Sequence, residues 1–60
     1  MPTRLLEHTY GTHTYMRIRM PDGIIEEIDV YWLESGPKYK VATTSEERCQ
    51  EIIEAFKELY

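Results

Sequence analysis

The strongest constraint in this sequence is Pro21-Asp22-Gly23, set between two runs, residues 12–20 and 24–33, that alternate apolar and polar side chains. Proline presets φ for the second position of a type I turn, and glycine accepts the positive φ that follows. That chemistry makes a three-residue hairpin loop with a bulge. Two strands folded about it meet in one register. Met20 faces Ile24, Ile18 faces Glu26, Met16 faces Ile28, Thr14 faces Val30 and Thr12 faces Trp32. On the other side Arg19 faces Ile25, Arg17 faces Glu27, Tyr15 faces Asp29 and His13 faces Tyr31. A slip of one residue would set Arg17 against Ile28 and Ile18 against Glu27, mixing the two faces. In the chosen register one face is apolar (Met16, Ile18, Met20, Ile24, Ile28, Val30, Trp32), with Glu26 as the exception. The other carries an Arg17–Glu27 cross-strand pair.

Residues 34–38, Glu-Ser-Gly-Pro-Lys, read as a second turn. A short third strand follows, with Tyr39 and Val41 on one side and Lys38 and Lys40 on the other. Thr44 then serves as a helix N-cap, with Glu47 three residues on completing a capping box. Cys49, Ile52, Ile53, Phe56, Leu59 and Tyr60 recur at helical spacing and form one apolar stripe. Residues 1–11 read as an arm or a short strand, because the adjacent Leu5 and Leu6 fit neither period. The expected architecture is α+β, a single domain over residues 1–60. It has a three-stranded antiparallel sheet in residues 12–43 and one C-terminal helix, residues 45–60, packed on one face (βββα). Trp32, Phe56 and Ile28 are expected at the centre of the core. Met16, Met20 and Cys49 are expected to pack around them.

Sixty residues hold one small core, and oligomerisation is a common remedy for marginal stability at this size. The single cysteine, Cys49, excludes an internal disulfide and a zinc site built from thiolates. It also suits a reducing interior, so a cytoplasmic location is expected. No basic segment precedes an apolar run, which excludes a signal peptide in these residues. The longest apolar run, Tyr31-Trp32-Leu33, is far short of a membrane span.

Chemistry is not encoded in any recognisable constellation. His8 and His13 are five apart, which would put them on opposite faces of a strand unless a bulge at Gly11 corrects the phase. The glycines are scattered singly, so there is no phosphate loop. No carboxylate pair points into a cavity. The expectation is a protein that is not an enzyme and has no cofactor or metal.

Two features point to partners instead. Glu47, Glu51, Glu54 and Glu58 fall within about 60° of one another on the helix, opposite the Ile52/Phe56 stripe. Like charges four apart cost a few tenths of a kcal/mol per pair, so the ridge is a solvated face or a docking ridge for a basic partner. The second sheet face is the other feature. One helix shields one side of a sheet, and the far side holds Tyr15, Arg17, Tyr31 and Leu33, residue types common at interfaces, with Ile25 beside them. A protein contact is expected there, most simply with a second copy of the chain.

Three strands followed by a Thr-capped helix resemble, in outline, the DNA-binding domains of plant ethylene-response factors and the arm-binding domains of phage integrases. The likeness lies in "YMRIRMPDG" for the first strand and turn and "KYKVATTSEE" for the last strand and helix start. It implies DNA reading by the exposed sheet face, through Arg17, Arg19, Lys38, Lys40 and Tyr15. Against it, the net charge is −4, and a general nucleic-acid binder needs a basic surface. The favoured expectation is a small, non-enzymatic protein-interaction module, homodimeric through the open sheet face. An accessory or inhibitor protein of a phage or mobile element fits its size and acidity. A nucleic-acid-binding domain using the same face is the alternative.

Overall fold

The computed structural model describes all residues, Met1–Tyr60. Four strands and one helix follow in chain order: β1 (Thr3–Tyr10), β2 (His13–Arg19), β3 (Ile25–Leu33), β4 (Gly36–Val41) and α1 (Glu46–Leu59). The strands form one antiparallel sheet in sequential order. The expected sheet of three strands is therefore corrected to four. Residues 3–10, read as an arm or short strand, form a full edge strand. Their period was hidden by a bulge: Arg4 pairs with Ile18 and Leu6 with Arg17, leaving Leu5 as the extra residue.

The central hairpin is as the sequence dictates. Arg17 opposes Glu27, Met16 opposes Ile28 and Thr14 opposes Val30. The Met20 N–H donates to Ile24 O at 2.8 Å, and Gly23, at φ 89°, donates to Met20 O at 2.8 Å. The Asp22 side chain accepts from the Ile24 N–H at 2.9 Å and stiffens the same loop. Ile24 itself is 56% exposed. Its assignment to the apolar face is thus corrected, because the loop lifts it away from the layer beneath. The second turn is tighter than residues 34–38, since Leu33 already pairs with Gly36.

The helix starts one residue later than Thr44 implied. Ser45 is the N-cap, and its hydroxyl accepts from the Arg48 N–H at 3.2 Å. The Thr43 hydroxyl accepts from the Ser45 N–H at 3.2 Å and holds the approach to the cap. Arg48, not Glu47, therefore sits three residues after the cap. It reaches away to Glu26 rather than back to the cap.

The helix lies over β2, β3 and β4. The core is Met16, Ile18, Met20, Ile28 and Val30 from the sheet, with Ile52, Ala55 and Phe56 from the helix. Trp32 and Cys49 are half-buried rather than central. Trp32 lies at the rim among Phe56 and Tyr60, with ring centroids 6.2 and 5.3 Å away. Its indole N–H donates to the hydroxyl of the fully buried Thr14 at 2.8 Å. Glu26, the polar exception on this face, is met by Arg48, whose Nε donates to Glu26 Oε2 at 2.8 Å. The same guanidinium reaches Glu51 at 3.0 Å and Asp22 at 3.1 Å. Glu26, then Glu51, then Asp22 hold Arg48 well above its ordinary pKa. One arginine thus ties the first turns of the helix to β3 and to the hairpin loop.

Candidate functional site, the open face of the sheet

On the side of the sheet away from the helix, the register builds rows of side chains across the strands. Tyr10, His13, Tyr31 and Lys38 form one row. His8, Tyr15, Asp29 and Lys40 form the next. Leu6, Arg17 and Glu27 follow, and Arg19 and Ile25 lie beyond them. Four of the residues expected to meet a partner, Tyr15, Arg17, Tyr31 and Leu33, are brought together here. His8 and His13 also share this face. No bulge at Gly11 is needed, because the two-residue turn Gly11–Thr12 reverses the chain between them, with Gly11 at φ 60°.

The rings are already positioned. His13 and Tyr31 stack at 4.7 Å between centroids with 15° between planes. His13 Nε2 lies 2.7 Å from Asp29 Oδ1, which fixes the imidazole from the other side. Arg17 reaches Glu27 at 3.3 Å. The Tyr15 oxygen, and after it the Glu27 carboxylate, hold the Arg17 guanidinium above its ordinary pKa. Both carboxylates of this face are therefore engaged, whereas Arg19, Lys38 and Lys40 make no ion pair. The face carries four cations against two carboxylates, a net +2, while the rest of the chain has Arg4, Arg48 and Lys57 against nine carboxylates, a net −6. Leu33 is 50% exposed, Ile25 51% and Tyr31 36%. A shallow hollow of about 330 Å³ lies between β1 and β2, lined by Leu6, His8, Tyr10, His13 and Tyr15. Leu6, His8 and Tyr10 were not among the expected partner residues, since only the β1–β2 pairing places them here.

The other expected partner residues lie elsewhere. Glu47, Glu51, Glu54 and Glu58 line a larger groove, about 590 Å³, beside the helix, with Pro2, Met20, Pro21 and Asp22 among its other walls. Glu51 is bound by Arg48, and Glu54 lies 3.8 Å from Lys57. The larger groove contains no aromatic ring and few apolar side chains, and the aromatic face is the better-built surface. No group of three His, Cys, Asp or Glu side chains comes close enough to hold a metal ion, and no helix is long and apolar enough to cross a membrane.

No protein-family model matches the chain, and neither a curated protein nor a solved structure matches it.

Proposed function

We propose that this chain is a small, non-enzymatic interaction module working inside the cell, and that the open sheet face meets a second copy of itself. The observation that carries this reading is the aromatic and apolar patch on the side no helix covers: the His13–Tyr31 stack, Tyr15, Leu33, Ile25 and Leu6. Rings held by a neighbour before contact lose little conformational freedom when buried. Glu27 and Asp29 stay partly exposed beside Arg17 and His13, so in a copy related by a two-fold axis they can also accept from Arg19, Lys38 and Lys40. Four strands about 4.8 Å apart and some 24 Å long present roughly 450 Å² in projection, the scale of a modest, concentration-dependent dimer. The compact size and acidity fit an accessory or inhibitor protein of a phage or mobile element. The test is a dilution series followed by NMR. Dilution should shift resonances of Tyr15, Tyr31 and Leu33 while leaving Phe56 and Ile52 in place. Open-face resonances unchanged over a hundredfold dilution would refute the reading.

A second reading has its own support in the three cations without carboxylate partners, set among rings that could stack on bases. A single-stranded nucleic acid laid across Tyr10, Tyr31 and Tyr15 would find Arg19, Lys38 and Lys40 beside it. With about three phosphates neutralised, log K against log salt should have a slope near −2. Labelled single strands that are not retarded at low salt, or a shift indifferent to salt, would remove this reading.

A further inference from the structure

We infer that the free edge of β1 is a second contact, independent of the open face, and that its occupant is the β1 strand of another copy. β1 ends the sheet, is eight residues long, and is exposed at every position. The two-residue turn makes Tyr10 and His13 a hydrogen-bonded pair, so the backbone groups of Thr9 and Glu7 point away from β2 towards the empty edge. Edge strands commonly deter pairing with charges and bulges. Here both devices are self-complementary. The bulge at Leu5 brings Arg4 and Glu7 to the same face, where Arg4 Nη1 donates to Glu7 Oε1 at 2.8 Å. An antiparallel copy centred between Leu5 and Leu6 sets Arg4 against the other chain's Glu7, and Glu7 against its Arg4. The extra residue that mismatches β1 with β2 is matched in that pairing, because both strands carry it. An eight-stranded sheet results. The open face is a separate surface, so the edge contact and the face contact do not compete for the same residues.

Light scattering on the full chain carrying Tyr31→Ala with Leu33→Ser isolates this edge. That background should still dimerise. Adding Arg4→Glu should raise the dissociation constant at least tenfold, and Arg4→Glu with Glu7→Arg should restore it. A monomeric background, or a dimer indifferent to Arg4→Glu, would overturn the edge contact and leave the open-face reading standing. If the background does not fold, amide hydrogen exchange of the unaltered chain decides. The Glu7 amide, set against Arg4 of the other copy, should gain protection as protein concentration rises, and equal exchange at all concentrations would overturn the inference.

Discussion

Replacing Thr14 by valine tests how the rim of the core is held. Thr14 is wholly buried, and its hydroxyl accepts from Trp32 Nε1 at 2.8 Å and lies 3.0 Å from the Thr9 hydroxyl. Valine keeps the shape and removes both bonds. Each is worth about 0.5–1.5 kcal/mol net, and the indole N–H is left without its acceptor. Burying a methyl in place of the hydroxyl returns up to about 0.8 kcal/mol. The expected net loss is therefore about 1–2 kcal/mol. For a domain this small each kcal/mol lowers Tm by about 4–8 °C, so thermal unfolding should occur about 4–16 °C lower. Circular dichroism gives the midpoint, and Trp32 emission reports the altered ring environment. Thr14→Ser keeps the acceptor and should leave the emission unchanged. A Thr14→Val protein as stable as the parent, with unaltered emission, would refute the view that this hydroxyl anchors Trp32.

Phe56→Ala removes the largest fully buried side chain. It should cost about 3–5 kcal/mol, enough to leave the chain largely unfolded by circular dichroism at 25 °C. The Ile24 N–H, first, and then Arg48 lower the Asp22 pKa. A depressed carboxylate contributes stability above its unfolded value, near 3.9, and loses it as pH falls through the folded value. Urea midpoints of Asp22→Asn should therefore depend less on pH than the parent's below about pH 4, and match its slope at neutral pH. Arg48→Ala and Glu26→Ala should be non-additive in the same assay, because removing Arg48 leaves Glu26 half-buried without its partner, a cost that Glu26→Ala removes.

The hairpin about Pro21-Asp22-Gly23 was legible because turn chemistry and two-residue alternation agree on one register. The helix was legible too, within one residue, because Cys49, Ile52, Ile53 and Phe56 keep its period. The open face followed from these two elements, and so did Tyr15, Arg17, Tyr31 and Leu33. β1 was not legible. A bulge at Leu5 breaks alternation, and no residue of the strand is buried to leave an apolar pattern. The β1 contribution to the open face was lost with it. The role of Arg48 was not legible for a different reason. Its partners Asp22 and Glu26 lie more than twenty positions away in the chain, and helical spacing shows only Glu51. With Glu26 neutralised across the layers, the one polar residue that spoiled the apolar face has its account.

The central claim is that the uncovered side of the sheet meets a second copy. Molar mass by light scattering, measured over a concentration series for the unaltered chain beside its Tyr31→Ala, Leu33→Ser variant, tests it most directly. The unaltered chain should exceed the mass of the variant at high concentration and converge with it on dilution. Identical masses at every concentration, with both proteins folded, would contradict the claim.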